Sequence, residues 1–188
     1  ITPSSATNAS GIATATRVLG ATAGSQTATA SVGGLIGSPV SFTATGTAGA
    51  ATQIALNAGD GQSATVNTAV TTPPSVIVRD QFNNPVAGVN VTFTVASGGG
   101  STSPTSPATV ATGTNGIAAL TSWILGTTAG TNNNTLTATS GTLTGSPLTF
   151  TASATASAAT QIALNAGDGQ SATVNTAVTT PPSVIVRD

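Results

Sequence analysis

The sequence predicts an all-β protein built from tandem antiparallel β-sandwiches. Three observations support this prediction. Several short segments alternate apolar and polar residues with a period of two, about a fifth of the residues are Thr, and the chain repeats itself with a period of 108. β-Branched residues favour strands, and the 22 Gly and 10 Pro residues favour turns. No segment has the apolar spacing of 3.6 that an amphipathic helix requires, so helices are not expected.

The repeat is clearest near the end of the chain. The segment ATQIALNAGDGQSATVNTAVTTPPSVIVRD, residues 51–80, recurs without a single change as residues 159–188. The Gly-Ser-Pro at Gly37 recurs at Gly145, which is the same offset. A period of this length exceeds the 20–50 residues of solenoid repeats and suits β domains of about 100 residues.

The offset shortens further upstream. GIATATRVLGATAG at Gly11 matches GIAALTSWILGTTAG at Gly116, where the offset falls to 105. Three extra residues in the second copy account for the difference, one near Ser122 and two within Asn132–Asn134. Insertions are tolerated in loops and at strand ends, so we expect both insertions to lie in loops or at strand ends.

These offsets predict three parts. Residues 50–157 form one complete repeat, residues 1–49 form the C-terminal half of a preceding repeat, and residues 158–188 form the N-terminal half of the next one. The chain opens without the basic and apolar regions of a secretory signal peptide. We therefore expect it to be an interior segment of a longer protein.

The complete repeat is expected to contain about seven short strands. In VNVTFTVAS, the residues Val89, Val91, Phe93 and Val95 share one face, which predicts a half-buried strand. The other predicted strands are SVIVRD, GIAALTSWIL, TLTATS and SPLTFTASATAS. The predicted turns between them are NAGDGQ, TTPP, DQFNNPVAG, SGGGSTSPTSP, GTNG and GTTAGTNNN, all rich in Gly, Pro, Asn and Asp.

Several of these segments resemble the bacterial immunoglobulin-like group 1 repeats of invasin- and intimin-type surface proteins. The matching segments are RDQFNNPVAGVNVTFTVASGGG and TGTNGIAALTSWILGTTAGTNNNTLTATSG, through Asp80–Phe93, Thr112–Ala118 and Thr127–Ala138. The sequence departs from the family pattern at Asn83, where Gly is commoner, but Asn also tolerates positive φ. The resemblance implies an immunoglobulin-like β-sandwich in a long rod on the cell surface.

Charge is almost absent from the chain. The charged residues make up 4% of the sequence, and the net charge is −1. They are Arg17, Arg79, Arg187, Asp60, Asp80, Asp168 and Asp188. Three Arg residues cannot provide the phosphate neutralisation that nucleic-acid binding needs, nor a basic cluster for an anionic membrane. No nucleic-acid partner and no membrane insertion are therefore expected.

The missing residue types also argue against catalysis. The chain has no Lys, Glu, His, Cys, Met or Tyr, so most general bases, activated nucleophiles and transition-metal ligands are lacking. We predict a non-enzymatic protein with no catalytic, cofactor-binding or metal-binding residue and no cofactor.

Three of the Asp residues lie in predicted turns. Asp60 and Asp168 belong to identical NAGDGQ segments, where a Ca²⁺ site is conceivable. Because Ca²⁺ takes six to eight oxygen ligands, usually with several carboxylates, a simple turn is the favoured interpretation. Asp80 opens the QFNNP turn and is interpreted as a turn cap.

Three other features invite a ligand. Trp123, the sole Trp, could stack on a carbohydrate, but a partly exposed strand residue is favoured because the preceding half-repeat has Arg17 near that position. SGGGSTSP lacks the Lys and the following helix of a phosphate loop, so that interpretation is rejected. Thr-x-Thr strings such as TLTAT could form an ice-binding face, although the strand propensity of Thr explains them.

The favoured hypothesis is a non-catalytic spacer rod within a large secreted or bacterial cell-surface adhesin or extracellular fibre. Its partners would be neighbouring identical repeats of the same or adjacent chains, with surface glycans or other cells bound by regions outside this segment. One alternative is a self-assembling filament subunit completed by strand or half-domain exchange between chains. Another is a carbohydrate- or ice-binding module.

Overall fold

The computed structural model describes residues 5–188, and the regular elements in this range are all β-strands. No helix in the described range has the length and apolar character needed to cross a membrane. The strands are β1 (Gly24–Ala30), β2 (Val40–Gly46), β3 (Gln53–Ala58), β4 (Gln62–Thr65), β5 (Ser75–Arg79), β6 (Asn90–Ser97), β7 (Ser101–Ser103), β8 (Ala108–Ala111), β9 (Ile117–Ala119), β10 (Ser122–Ile124), β11 (Gly130–Thr139), β12 (Leu148–Thr155), β13 (Gln161–Ala166) and β14 (Ser183–Arg187).

The strands of residues 50–157 form one five-stranded sheet and two smaller ones. The large sheet has the order β4-β12-β11-β6-β8, a second sheet has the order β3-β5-β9, and β10 pairs with β7. The pairs are antiparallel except for β12 and β4, which run parallel. The prediction of an all-β chain is confirmed, and one parallel pair is added to the antiparallel pattern that we expected.

The sheets share a single apolar core. Val78 comes from β5, Trp123 from β10, and Phe93, Leu136 and Phe150 from the large sheet, and none of the five side chains is exposed to solvent. This arrangement of opposing sheets around one core is typical of a β-sandwich. Ala occupies many of the other buried positions, so the three largest side chains, Trp123, Phe93 and Phe150, provide much of the core volume.

The predicted apolar face of β6 is confirmed. Val91 and Phe93 are fully buried, and Val89 and Val95 pack against the same core from partly buried positions. The prediction of one continuous strand over GIAALTSWIL is wrong. This segment divides into β9, which pairs with β5, and β10, which pairs with β7.

The complete repeat has ten strands rather than about seven. Three of the additional strands, β4, β7 and β8, have only three or four residues each. Segments this short contain too few residues to show a periodic pattern. The prediction of a turn over the whole of SGGGSTSPTSP is wrong, because β7 lies within it.

The two predicted insertion sites coincide with irregular strand pairing. Ser122 lies where the chain passes from β9 to β10 and changes its pairing partner. In β11 the register with β12 shifts between Gly130 and Asn134, and Asn132 has a φ of 48°. Ser122 therefore lies at a strand end, as expected. Asn132–Asn134 lie at a bulge inside β11, so the prediction of a loop or strand end is wrong there, as is the turn predicted over the end of GTTAGTNNN.

The flanking segments form isolated hairpins, β1 with β2 and β13 with β14. Apolar side chains that correspond to core residues are exposed in them. Phe42 is 55% exposed and its counterpart Phe150 is 0% exposed, while Ile162 is 69% exposed and its counterpart Ile54 is 4% exposed. Each hairpin thus retains its local pairing without a covering sheet.

Candidate functional site

A buried carboxylate with several hydrogen-bond donors lies at the boundary between the first half-repeat and the complete repeat. Asp80 follows directly after β5 and is 1% exposed. Its Oδ1 accepts hydrogen bonds from the backbone N–H of Phe82 at 2.8 Å and of Asn84 at 2.9 Å. These bonds close the QFNNP turn, and they confirm the predicted role of Asp80 as a turn cap.

Asp80 also reaches the preceding half-repeat. Its Oδ2 accepts a hydrogen bond of 2.8 Å from the backbone N–H of Gly49, in the segment that connects β2 to β3. The same Oδ2 accepts a bond of 3.0 Å from the Asn84 side chain. The buried carboxylate is therefore surrounded by donors, which offsets the cost of removing it from water.

Asn84 provides the second connection across this boundary. Its Nδ2 donates to the carbonyl oxygen of Ala21 at 2.7 Å, and its Oδ1 accepts from the backbone N–H of Ala23 at 2.8 Å. Asn84 is 7% exposed. We refer to Asp80 and Asn84 with their partners Ala21, Ala23 and Gly49 as the joint.

Half of the joint recurs one repeat later, at the next boundary. The Oδ2 of Asp188 accepts a hydrogen bond of 2.8 Å from the backbone N–H of Ser157. Ser157 and Asp188 correspond to Gly49 and Asp80, and the bond has the same length in both places. The geometry at the boundary is therefore repeated together with the sequence.

The hydrogen bonds of the joint stabilise the ionised form of its carboxylate. The Asn84 side chain makes the largest contribution, followed by backbone N–H groups, and together they outweigh burial and lower the pKa of Asp80 to about 2 from 3.8. The backbone N–H of Ser157 likewise lowers the pKa of Asp188. The joint is thus held by a charged acceptor throughout the neutral range.

Asn83 has the backbone conformation expected from its sequence position. Its φ is 66°, in the left-handed region where Gly is usually found. Its Oδ1 also accepts a hydrogen bond of 2.8 Å from the side chain of Gln53. Asn83 therefore adopts a left-handed conformation in the turn and also makes a side-chain contact.

The two NAGDGQ aspartates do not cluster with other acidic groups. Asp60 accepts hydrogen bonds from the backbone N–H and the hydroxyl of Thr151, at 2.8 and 3.2 Å, so it connects its turn to β12. Asp168 is exposed. Among residues 5–188 no group of three or more His, Cys, Asp or Glu could hold a metal ion. This geometry favours the turn interpretation of Asp60.

The prediction that Trp123 is a partly exposed strand residue is wrong. Trp123 is 0% exposed, and Leu125 two residues later is also fully buried. The alternation of buried and exposed residues shifts by one position between β9 and β10: Ala118 and Leu120 are buried before the shift and Trp123 after it. This shift directs Trp123 into the core. Arg17 was a misleading guide, because it lies on the uncovered half-repeat, where its guanidinium donates to the carbonyl oxygen of Phe42 at 3.3 Å.

The predicted Thr strings share the outer face of the large sheet. Thr137 of β11 lies between Thr149 of β12 and Thr94 of β6, and Thr92 pairs with Thr109 of β8. The hydroxyl groups of Thr92 and Thr109 are 3.1 Å apart and hydrogen-bonded. The result is a neutral, hydroxyl-covered surface stabilised by cross-strand pairs.

The SGGGSTSP segment is a tight connection rather than a phosphate loop. Gly98, Gly99 and Gly100 all have positive φ, and β7 begins at Ser101 directly afterwards. A strand follows where a phosphate loop would require a helix N-terminus.

Sequence reasoning assigned no role to Asn84 and did not identify its partners. The partners are backbone groups of Ala21, Ala23 and Gly49, and because every residue type has such groups, the sequence does not mark them. The separation between Gly49 and Asp80 equals that between Ser157 and Asp188, but every corresponding pair in the two copies has equal separations, so the spacing did not reveal the contact.

No family model, no curated protein and no solved structure matches this chain.

Proposed function

We propose that the chain is a segment of a spacer rod, made of tandem immunoglobulin-like β-sandwiches, in a large extracellular or bacterial cell-surface adhesin or fibre. The observation that carries the proposal is the joint. Asp80 and Asp188 each follow a strand directly, and each accepts a hydrogen bond from the backbone N–H of Gly49 or Ser157, just before its own repeat begins. The same contact therefore occurs at both boundaries. Such contacts anchor the segment that precedes each repeat, which supports a regular arrangement of successive repeats.

The surface chemistry supports a spacer. Charged residues are rare, the outer sheet face carries Thr hydroxyls, and the acidic groups at Asp80 and Asp60 are used in structural hydrogen bonds. A function that depends on length needs a stable repeated unit rather than a reactive site. The resemblance to surface-protein repeats at Asp80–Phe93 is in agreement with this role.

Stretching single molecules from both ends tests the mechanical part of the proposal. The complete repeat comprises residues 50–157, which extend to roughly 360–390 Å at about 3.3–3.6 Å per residue. Its unfolding should therefore lengthen the chain in one step by this length less the end-to-end distance of the folded repeat. A chain that lengthens smoothly, with no discrete step, would argue against a load-bearing unit.

Antibodies raised against the complete repeat test the location. They should label intact cells that produce the protein. Labelling only after the cells are lysed would contradict an extracellular rod.

The exposed apolar side chains of the flanking hairpins favour a second candidate, a filament subunit completed by half-repeat exchange. Phe42, Ile162, Val184 and Val186 are all more than half exposed. Two half-repeats from different chains could cover one another, but together they would lack the equivalents of residues 81–105, which include β6. Sedimentation over a hundredfold concentration range tests this candidate, and a monomer of 17.7 kDa throughout would exclude it.

A further inference from the structure

The joint depends on a turn that offers two backbone groups, one acceptor and one donor, to the side chain of Asn84. In the first half-repeat, this turn presents the carbonyl oxygen of Ala21 and the N–H of Ala23, and the side chain of Asn84 binds both, at 2.7 and 2.8 Å. The oxygen needs a donor and the N–H needs an acceptor. A carboxamide supplies both from one planar group, whereas a carboxylate could only accept.

The complete repeat contains the same turn in its own second half. In the first copy, the Gly20 N–H donates to the side-chain oxygen of Gln26 at 2.8 Å. In the second copy, the Gly126 N–H donates to the side-chain oxygen of Asn134 at 2.9 Å. The turn is therefore anchored in the same way in both copies, and Thr127 and Ala129 occupy the positions of Ala21 and Ala23.

The second turn is exposed. Thr127, Thr128 and Ala129 all lie at the surface. Within residues 5–188, neither the Thr127 carbonyl oxygen nor the Ala129 N–H takes part in a hydrogen bond. At the same boundary, Asp188 already binds Ser157 as Asp80 binds Gly49.

We propose that the Thr127 carbonyl and the Ala129 N–H form a binding site for an Asn side chain from the D-Q-F-N-N-P turn of a further copy of this repeat. The Asn would be the fourth residue after the Asp188 position, as Asn84 is the fourth after Asp80. The site rests on the tandem array of the proposed function. It specifies how each repeat recognises the next one, through a carboxylate bound to the connecting segment and a carboxamide bound to this turn.

Amide hydrogen exchange measured by NMR provides the test. In the chain as it stands, the Ala23 N–H should exchange about tenfold more slowly than the Ala129 N–H, the difference expected for one additional hydrogen bond. Asn84→Ala should remove the protection of Ala23 and leave Ala129 unchanged.

An extended chain tests the site directly. A copy of residues 81–157 is joined after Asp188, which completes the next repeat. The exchange of Ala129 should then slow to the rate of Ala23. A matched extension carrying Ala at the fourth position after Asp188 should restore fast exchange at Ala129.

Each outcome has a distinct meaning. If the added repeat is folded, as judged by dispersed methyl resonances, and Ala129 still exchanges rapidly, the proposed site is wrong while the tandem array survives. If the added repeat does not fold at all, the tandem array itself is contradicted. Protection of Ala129 that persists in the Ala-substituted extension would also overturn the site, since the Asn would not be its cause.

Discussion

The exact duplication of residues 51–80 as residues 159–188 offers a matched pair of core substitutions. Ile54 and Ile162 have the same neighbours in sequence and lie in hairpins with the same register. Ile54 is 4% exposed, and Ile162 is 69% exposed. We predict that Ile54→Ala destabilises the complete repeat strongly and that Ile162→Ala leaves its stability almost unchanged.

The difference in burial sets the magnitude. Replacing a buried Ile by Ala removes apolar surface and leaves a cavity, and this typically lowers the free energy of unfolding by about 2–5 kcal/mol. At Ile162 no cavity can form, and only about a third of the side chain is removed from water. A change below about 0.5 kcal/mol is expected there, as for most surface substitutions.

Trp123 makes the measurement simple. It is the sole Trp of the chain, and it is fully buried in the complete repeat, so its fluorescence reports the unfolding of this core. Urea titrations of the wild type, Ile54→Ala and Ile162→Ala should show a lower midpoint for the Ile54 variant alone, with an unchanged slope.

Two results would refute this reasoning. Equal losses from the two substitutions would mean that Ile162 contributes to the core around Trp123, contrary to its exposure. A loss below about 1 kcal/mol at Ile54 would mean that β3 contributes little to the core, contrary to its burial.

Three other predictions concern turns and the joint. Asn83→Ala should lower the free energy of unfolding by about 1 kcal/mol, because the φ of 66° at this position is unfavourable for Ala. Asn83→Gly should stay near the wild type in urea titrations, and equal stability of the two variants would contradict this reasoning. Gly126→Ala should cost about 1–3 kcal/mol by the same assay, because its Cβ would collide with the Gly98 carbonyl oxygen, while the equivalent Gly20→Ala has room and should cost far less; similar costs would count against the packing. The pKa of Asp80 is lowered to about 2, so the carboxylate's contribution to the free energy of unfolding is present above pH 3.8 and is lost as the pH falls towards 2. The chemical shift of the Gly49 amide should follow this titration, and a midpoint at or above pH 3.8 would be inconsistent with the hydrogen bonds.

The features that the sequence predicted correctly depend on residues that are close together in the chain. Alternation over a few residues was enough to place Val91 and Phe93 in the core. Comparison of the two copies correctly placed the insertion near Ser122 at a strand end, whereas Asn132–Asn134 lie at a bulge inside β11 and not in the predicted loop. Asn83 has a φ of 66°, which agrees with the tolerance of Asn for positive φ.

The joint and the position of Trp123 could not be derived in this way. Asn84 binds Ala21 and Ala23, which are distant in sequence, and it binds their backbone atoms, which every residue type possesses. The orientation of Trp123 depends on a phase shift between two short strands that pair with different partners. Residue types predict which segments are strands, but the partners of those strands are determined by the whole repeat.

The two identical segments separate local from long-range effects within one molecule. Both form the same hairpin, and a side-chain bond of 3.0 Å joins Asn57 to Ser75 in one copy and Asn165 to Ser183 in the other. Yet residues 62–65 form a strand while residues 170–173 do not, because β4 exists through its parallel pairing with β12. The hairpin therefore follows from its own local sequence, whereas the sheet edge and the core require the rest of the repeat. Residues 159–188 therefore keep the hairpin of residues 51–80 and lack its core, because the strands that would cover them are not supplied by their own sequence.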